Sequence, residues 1–359
     1  MVAMSGGVDS SVAALLLKEA GYEVIGVTMR LWVDPFAEEK ADESLKGCCA
    51  RDAVSDARSV AAMIDVPHYV FNMKEDFYQN IVCNFTAEYL RGRTPNPCVE
   101  CNRTIKFSAL LQKAMGLGID LLATGHYVRS SYDSQEKCYK LFRGIDPQKD
   151  QSYMLYMLGQ DELSATVFPL GDKSKQKIRG IARDKNLKVA AKDESQEICF
   201  IPDNDYRSFM ERICPEATSP GDIVSTGGEI LGSHRGIAFY TIGQRKGLGL
   251  TSPDPLYVVK IDAPNNRVVV GTEQETYSSG LLAEKLNYVT GKVPESPLEI
   301  EVKVRYRAPA VSAKLYPPQE GCARLIFDQK QKAVSPGQSA VFYRKEEVLG
   351  GGVIKVSLP

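Results

Sequence analysis

The sequence has 359 residues, of which 43% are hydrophobic and 25% are charged, a composition typical of globular proteins with two or three domains. Lys and Arg number 44 against 45 for Asp and Glu, so the formal net charge of -1 excludes a uniformly basic nucleic-acid-binding protein. No apolar run reaches membrane-spanning length and no secretion signal is evident, so we expect a cytoplasmic protein without a membrane partner. Nine cysteines in such a chain favour reduced, catalytic or metal-binding thiols over a disulfide framework.

The first 200 or so residues alternate short apolar runs with stretches of helical periodicity. The apolar runs are MVAM, YEVIGVTM, HYVFNM and DLLATG, and a helix from Ser10 to Ala20 that Gly21 ends follows the first of them. Strands that alternate with helices require crossover connections, which produce a mostly parallel sheet covered on both faces. The sequence therefore predicts a doubly wound, Rossmann-like α/β domain over residues 1–205.

Beyond about residue 215 the pattern changes to short alternating segments separated by Gly, Pro and Asn-Asn. These segments are IAFYTIG, LYVVKID, RVVVGT, EIEVKVRY, ARLIFD and SAVFYR, and DAPNNRVVVG has the turn chemistry of a hairpin. Evenly spaced strands with turn signals are typical of small antiparallel sheets and barrels. We expect a small, mostly β central domain over residues 206–278 and a C-terminal β-barrel over residues 279–359.

The stretch SGGVDSS, from Ser5 to Ser11, follows the first predicted strand and runs into the first predicted helix. Open α/β folds bind ligands at this end of the sheet. Gly6 and Gly7 allow consecutive backbone amides to face one anion, and serine hydroxyls and the helix dipole add to that site. Glycine and serine content alone favours a tight strand-to-helix turn equally well.

The lysine of the Walker phosphate loop is missing from this stretch, and the pattern G-x-G-x-x-G does not occur in the sequence. SGGVDSS instead resembles the loop of the N-type ATP pyrophosphatases, also called the PP-loop family. Members of that family cradle pyrophosphate, adenylate a substrate oxygen and release pyrophosphate. Asp9 could help to hold Mg²⁺ beside the phosphates, although a carboxylate in a first helical turn is favourable without any ligand.

A second informative stretch is GRTPNPCVECNRTIKF, from Gly92 to Phe107. Pro95 and Pro97 predict an ordered loop. Cys98 and Cys101 have C-x-x-C spacing, which can bring two sulfurs onto one metal or let one thiol attack the other. A zinc site would normally need a second close cysteine pair, and a thioredoxin-like motif would need a short βαβ unit that begins at the motif.

Five segments in chain order carry a stronger resemblance: TPNPCVECNRTIKF, ATGHY, KDQSYMLY, ESQEICFIP and GQRKGLG. Together they closely resemble the tRNA-specific 2-thiouridylases over essentially the whole chain. The resemblance implies ATP-dependent adenylation of the C2 oxygen of the wobble uridine, followed by sulfur transfer from a cysteine persulfide to give 2-thiouridine, AMP and pyrophosphate. It implies two partners, a tRNA and a persulfide donor such as a cysteine desulfurase or a sulfur relay protein.

The resemblance also implies roles for individual residues. Cys101 falls on the nucleophile and Cys199 on the persulfide cysteine, although its apolar neighbours alone would mark Cys199 as a core residue. ATP would be bound by Ala3, Met4, Ser5, Gly6, Gly7, Val8, Asp9, Ser10, Met29 and Gly125. The tRNA would be contacted by Asn96, Pro97, Cys98, His126, Lys149, Asp150, Gln151, Arg305, Tyr306 and Gln338.

The chain departs from many members of the family, which carry aspartate at the position of Cys98. A thiol there could assist sulfur exchange, or Cys98, Cys101 and Cys199 could hold an iron-sulfur cluster with one open iron. A neutral chain must bind RNA through local basic surfaces. The basic stretch from Asp172 to Lys188 could follow phosphates, and a solvated helix explains it equally well.

Three alternatives remain open from the sequence. An amidating synthetase of the same superfamily would need an ammonia source, and no segment resembles a glutaminase domain. A 4-thiouridine synthetase should carry an RNA-binding domain before the loop, which here starts at the N-terminus. A non-enzymatic nucleotide-sensing or RNA-binding module would use the C-x-x-C pair to bind zinc.

Overall fold

The computed structural model describes residues 1–34, 51–192, 198–201 and 205–359. The strands are β1 (Val2–Ala3), β2 (Gly26–Arg30), β3 (His68–Asn72), β4 (Leu122–Ala123), β5 (Val128–Asp133), β6 (Cys138–Arg143), β7 (Thr166–Val167), β8 (Gly221–Ser225), β9 (Ile230–His234), β10 (Tyr257–Asp262), β11 (Arg267–Gly271), β12 (Tyr277–Tyr288), β13 (Leu298–Lys303), β14 (Val311–Leu315), β15 (Ala323–Lys332), β16 (Ser339–Arg344) and β17 (Glu347–Leu358).

The α-helices are α1 (Val8–Glu19), α2 (Arg51–Met63), α3 (Lys74–Phe77), α4 (Cys83–Leu90), α5 (Pro97–Cys101), α6 (Leu111–Gly116), α7 (Gln160–Ser164), α8 (Lys175–Asp184) and α9 (Tyr206–Ile213). Two π-helical stretches join α3 to α4 and α5 to α6, at Tyr78–Val82 and Asn102–Leu110. Short 3₁₀ turns occur at Ser152–Met154, Pro215–Ala217, Ile237–Phe239, Ala263–Asn265 and Gln274–Thr276. In the described ranges, every helix is too short or too polar to cross a bilayer.

The N-terminal part is built on a parallel sheet whose five described strands lie in the order β3-β2-β1-β4-β7. The chain winds outward in both directions from the central strand β1. Small side chains such as Val12 and Ala13 of α1 and Ala57 of α2 are buried on one face. Phe107 and Leu111 cover the other face. The prediction of a doubly wound α/β domain is confirmed.

The C-terminal part is a closed β-barrel, as predicted. Its described strands follow the order β12-β15-β14-β13-β16-β17, and β17 also pairs with β12, which closes the ring. Closure removes the exposed sheet edges that an open sheet would leave. The barrel core contains alternating side chains such as Ile300 and Val302 of β13 and Ala340 and Phe342 of β16.

The hairpin of β5 and β6 links the α/β part to the barrel, a feature that the sequence did not reveal. The hairpin follows β4 in the chain, yet β6 pairs with β17, with Leu141 opposite Val348 and Phe142 opposite Glu347. One continuous set of hydrogen-bonded strands therefore runs from this hairpin of the α/β part into the barrel.

Between these parts, β8, β9, β10 and β11 form a small sheet in the order β10-β11-β8-β9. The predicted hairpin DAPNNRVVVG joins β10 to β11, with Asn266 in the left-handed conformation at φ 48°. The prediction of a strand at IAFYTIG is wrong. Its four residues from Ile237 to Tyr240 are buried in succession, so they form a 3₁₀ turn inside the core instead of an alternating strand.

Candidate active site

The predicted phosphate loop is preformed between β1 and α1. Gly6 has φ +69°, and a Cβ on it would lie 2.3 Å from the carbonyl oxygen of Ala53 on α2. The Ser5 amide donates to Ser10 Oγ at 3.1 Å, and the Ser11 hydroxyl donates to the Gly7 carbonyl at 2.9 Å. Serine side chains thus brace the turn from inside, and α1 begins at Val8 directly behind it.

Other predicted ATP-binding residues lie at the same edge of the sheet. Ala3 ends β1, and half-buried Met29 lies near the end of β2. Gly125 follows β4, and a Cβ there would come within 2.9 Å of the Ser10 amide nitrogen. The end of β4 therefore lies directly against the first turn of α1, which explains the glycine in ATGHY.

Asp9, the carboxylate of the loop, is bound by two residues from other elements. Both of its oxygens accept hydrogen bonds from Lys175 Nζ at 2.7 Å, and Oδ1 also accepts one from the Tyr127 hydroxyl at 2.6 Å. Lys175 is 8% exposed and is the first residue of α8. Sequence reasoning missed this lysine because it is 166 residues away from its partner.

A second lysine also reaches the loop. Lys192 Nζ donates to the Gly6 carbonyl at 3.2 Å and forms an ion pair with Asp56 of α2 at 2.5 Å. Its own carbonyl, and that of Ala190, accept hydrogen bonds from Arg179 of α8. The chain that leads toward Cys199 is therefore fastened to the phosphate loop.

The C-x-x-C pair lies on the short helix α5. Asn96 caps this helix by accepting a hydrogen bond from the Val99 amide at 3.2 Å, and Pro97 occupies its first turn, where a missing N–H costs nothing. Cys98 is exposed, whereas Cys101 is half-buried. Asn96 and Pro97 thus have a structural role, because they begin the helix that carries both thiols.

Cys199 lies near the same apolar cluster that Cys101 contacts. Its neighbour Phe200 is buried, with its ring centroid 5.4 to 5.6 Å from those of Phe77, Phe85 and Phe209. Cys199 itself is half-buried, so it is not the core residue that its apolar neighbours suggest. Of the segment ESQEICFIP, residues 194–197 and 202 lie outside the described residues.

His126 lies beside the loop but beneath the surface, with 8% exposure. Its Nδ1 is 2.8 Å from Thr124 Oγ1, and its ring centroid is 5.8 Å from that of Phe107. Burial, and secondarily the charge of Lys106, hold the pKa of His126 well below its ordinary value. His126 is therefore a neutral imidazole at neutral pH, and in this conformation it is not presented to RNA.

Residues of the predicted KDQ contact organise a turn next to the site. Asp150 Oδ1 accepts hydrogen bonds from the amides of Gly144 and Ser152 at 3.1 and 3.0 Å. Gln151 Oε1 accepts one from the Tyr127 amide at 3.0 Å. Lys149 is half-buried on the same turn. The turn is thus fixed to the segment that positions Tyr127 against Asp9.

The barrel supplies the remaining predicted tRNA contacts. Gln338 Nε2 donates to the Thr94 carbonyl at 2.9 Å, so a barrel loop holds the segment before α5. Arg305 donates to the Ala333 carbonyl, and burial lowers its pKa. Tyr306 is half-buried, with its ring centroid 5.9 Å from that of Tyr153.

A cavity of about 370 Å³ opens between α4, α5 and the barrel. Asn96, Pro97, Glu100 and Tyr156 are among the residues that line it. This volume falls within the range typical of small-molecule sites. The structure therefore brings Asn96 and Pro97, two of the predicted tRNA contacts, to one cavity, while the neighbouring Cys98 is exposed.

Three family models match the chain in succession. They are described as the tRNA methyl transferase HUP domain over residues 1–203, the tRNA methyl transferase PRC-barrel domain over 207–272 and the aminomethyltransferase beta-barrel domain over 278–354. A solved structure, the U34-tRNA thiolase NcsA from Methanococcus maripaludis with its [4Fe-4S] cluster, is 16% identical, covers 59% of this chain and 65% of that chain, and has a TM-score of 0.34.

Curated relatives match at much higher identity. The tRNA-specific 2-thiouridylase of Natranaerobius thermophilus is 51% identical over 354 residues, which are 99% of this chain and 96% of that protein. The tRNA-specific 2-thiouridylase of Acetivibrio thermocellus is 50% identical over 355 residues, which are 99% of this chain and 98% of that protein. The methyl transferase wording of the domain models is thus outweighed by full-length identity to thiouridylases. The chain belongs to the tRNA-specific 2-thiouridylase family.

Proposed function

We propose that this chain is an ATP-dependent tRNA-uridine 2-sulfurtransferase, which converts the wobble uridine of its tRNA substrates to 2-thiouridine. The observation that carries the proposal is that one fold holds the phosphate loop and two thiol segments that pack on a common apolar cluster. Met29, near the end of β2, packs against the same cluster as Cys101 and Cys199. This shared packing supports an ATP site and a sulfur-transfer site within one fold.

The first step activates the uridine. The C2 oxygen attacks the α-phosphorus of ATP, the bond to the β-phosphate oxygen breaks, and pyrophosphate leaves. The amides at the start of α1 and the helix dipole stabilise the negative charge of the phosphates. Mg²⁺ would be held by phosphate oxygens and an oxygen of Asp9, which has further lone pairs to offer, and it would supply charge neutralisation.

The second step replaces oxygen by sulfur. The terminal sulfur of a Cys199 persulfide attacks C2, and AMP leaves with the former C2 oxygen. The Cys101 thiolate then attacks Cys199 Sγ, and the electrons of the broken sulfur-sulfur bond pass to the sulfur on C2. The Cys101–Cys199 disulfide that results is reset by a two-electron thiol reductant.

The uridine must leave the anticodon stack to reach this chemistry. We assign the flipped base to the region of Asn96, Pro97 and Cys98, beside the 370 Å³ cavity. Lys149, Asp150 and Gln151, together with Arg305, Tyr306 and Gln338, would contact the surrounding tRNA. His126 is buried in this structure, so it would contact RNA only after a conformational change that exposes its ring. Closure over the base would exclude water from the adenylate.

The iron-sulfur alternative finds no support in the geometry. Within the part of the chain that the structure describes, which includes Cys98, Cys101 and Cys199, no group of three or more His, Cys, Asp or Glu is arranged to hold a metal ion. Neither step of the proposed reaction therefore uses an iron-sulfur cluster, and we assign Cys98 the role of assisting sulfur exchange. Iron and labile sulfide in anaerobically prepared protein would reverse this assignment.

Three further assignments belong to the proposal. The division into residues 1–205, 206–278 and 279–359 is supported by the separate described sheets, since β1 to β4 and β7 form the first, β8 to β11 the second and β12 to β17 the barrel, which only the β5–β6 hairpin of the first part joins. A cytoplasmic location is supported by the chemistry, because reduced thiols and unmodified tRNA are both required. A cysteine desulfurase or a sulfur relay protein would load Cys199.

The test supplies the protein with ATP, Mg²⁺, unmodified glutamate tRNA, and a cysteine desulfurase with cysteine as the persulfide source. Nucleoside mass analysis measures 2-thiouridine, and a coupled assay measures pyrophosphate. We expect product from the wild type, and no product from Cys101→Ser or Cys199→Ser although both still bind tRNA. The matched control is Cys322→Ser on the barrel, which should retain activity. Pyrophosphate without 2-thiouridine in the wild type would show the sulfur route to be wrong, and the absence of both would overturn the proposal.

A further inference from the structure

The phosphate loop contains no cation of its own. From Ser5 to Ser11 the only charged side chain is Asp9, which is negative. ATP brings several negative charges to this point, and amides with a helix dipole offset only part of them. In Walker loops a lysine within the loop completes the neutralisation. A cation for this site must therefore come from another part of the chain or from a metal ion.

Lys175 brings a cation to the loop from α8. Its Nζ lies 2.7 Å from both oxygens of Asp9, and its side chain is 10% exposed. Its position is fixed by the backbone, because its own amide donates to Asp146 Oδ2 at 2.9 Å and Ser174 caps the helix. Lys175 is therefore held at the loop by α8, in addition to its ion pair.

Two positive helix ends meet at this ion pair, because Lys175 is the first residue of α8 and Asp9 lies in the first turn of α1. A cation at a helix N-terminus is unfavourable, whereas Asp9 there would be stable without any lysine. Asp146 Oδ2 accepts the hydrogen bond from the Lys175 amide and offsets the positive end of α8. The positive end of α1 and the ammonium group of Lys175 therefore remain for Asp9 and a phosphate to share.

We propose that Lys175 is a further substrate-binding residue, whose ammonium group contacts the polyphosphate of ATP and supplies the cation that the loop lacks. Besides its assigned contact with Mg²⁺, Asp9 then positions the ammonium group, and the Tyr127 hydroxyl in turn orients Asp9 by donating to its Oδ1. The inference rests on the proposed function, because it requires ATP at the loop.

The experiment compares the binding of ATP and AMP by isothermal titration calorimetry on the full chain. We expect Lys175→Met to weaken ATP binding by about tenfold or more, the effect of losing one charge-assisted hydrogen bond, while AMP binding changes less than twofold. Lys175→Arg, which keeps the charge, should retain part of the ATP affinity. The matched control is Lys177→Met, an exposed lysine on the same helix, which should bind both nucleotides like the wild type.

A double variant separates phosphate binding from a purely structural ion pair. Asp9→Asn with Lys175→Met removes both charges, so no unpaired buried charge remains to disturb folding. Because Asp9 is also assigned to Mg²⁺, the wild type and both variants are titrated without Mg²⁺; if Lys175 contacts phosphate, the double variant still binds ATP weakly and AMP normally. Recovery of wild-type ATP affinity in the double variant, or undiminished affinity in Lys175→Met, would overturn the inference. Failure of the wild type to bind ATP would instead overturn the proposed function.

Discussion

Gly125 sets the distance between β4 and the phosphate loop. A Cβ at this position would lie 2.9 Å from the Ser10 amide nitrogen and 3.0 Å from the carbonyl carbon of Asp9. Both are backbone atoms, so they cannot yield by rotating a side chain. Any side chain at Gly125 must therefore displace the first turn of α1, whose amides we propose to bind the phosphates of ATP.

Gly125→Ala should accordingly weaken ATP binding by about tenfold and destabilise the fold by about 1–3 kcal/mol, as overpacking of a tight contact does. Titration calorimetry and urea unfolding measure the two effects. The control is Gly180→Ala on α8, because a Cβ at Gly180 would have no other atom within 4 Å. This substitution should stabilise the helix by about 1 kcal/mol at most, since alanine has the higher helix propensity. Normal ATP affinity in Gly125→Ala would show that the loop tolerates displacement.

Residues of the loop could be predicted from the sequence because the information there is local. The order of glycines and serines from Ser5 to Ser11 itself specifies a turn and a helix start. Lys175 could not be predicted, because DKSK predicts only a capped helix and nothing in it points to Asp9. The pairing depends on how α8 packs beside α1, which is a tertiary property.

The barrel holds the loop that leads to α5, and this contact joins two elements far apart in the chain. The Thr94 amide donates to the Pro336 carbonyl at 2.8 Å, and Gln338 binds the Thr94 carbonyl. Arg93 forms an ion pair with Glu284 of β12 at 2.8 Å. The position of the α5 thiols therefore depends on the barrel as well as on their own helix.

Glu284→Gln should lower the free energy of unfolding by about 1 kcal/mol, because it weakens one of the two carboxylate partners of the partly buried Arg93 guanidinium and leaves Glu88 of α4 as the other, at 2.7 Å. The side chains of Arg93 and Glu284 are only 20% and 23% exposed. The KM for tRNA should also rise, since the segment before α5 is held less firmly. The control is Glu299→Gln, whose side chain is 72% exposed and pairs with Lys314, and its effect should stay within about 0.5 kcal/mol. Equal unfolding free energies for the two variants would contradict the docking role of Arg93.

At the scale of elements, the local patterns predicted half of the described barrel strands but not the connections between them. The predicted alternating segments coincide with β13, β15 and β16 of the barrel and with β10 and β11 of the central sheet. The hairpin of β5 and β6 was missed, because its stability comes from pairing with β17, about 200 residues away. IAFYTIG failed for the opposite reason, since the core buries four successive residues, Ile237 to Tyr240, of which alternation would have exposed half.

Over the whole molecule, the groups that titrate near neutral pH include three histidines, and the pKa values of all three are lowered. Burial lowers the pKa of His126 and, aided by Arg58, that of His68. Burial also lowers the pKa of His234, although a hydrogen bond with the Asn266 carbonyl partly opposes it. The folded chain therefore binds fewer protons than the unfolded chain just below the ordinary histidine pKa of about 6.5.

Stability should consequently fall as the pH is lowered from 7.5 to 5.5, because protonation of the unfolded histidines draws the equilibrium toward unfolding. Carboxylates with lowered pKa values, such as Asp133 at about 2, lose their stabilising effect only at more acidic pH. Urea unfolding at the two pH values measures the change, and NMR titration of the histidine ring protons should show His126 unprotonated throughout. His68→Gln should reduce the pH dependence, whereas Lys177→Met should leave it unchanged. A free energy of unfolding that stayed constant or rose toward pH 5.5 would show that these imidazoles gain protons in the folded chain as readily as in the unfolded one.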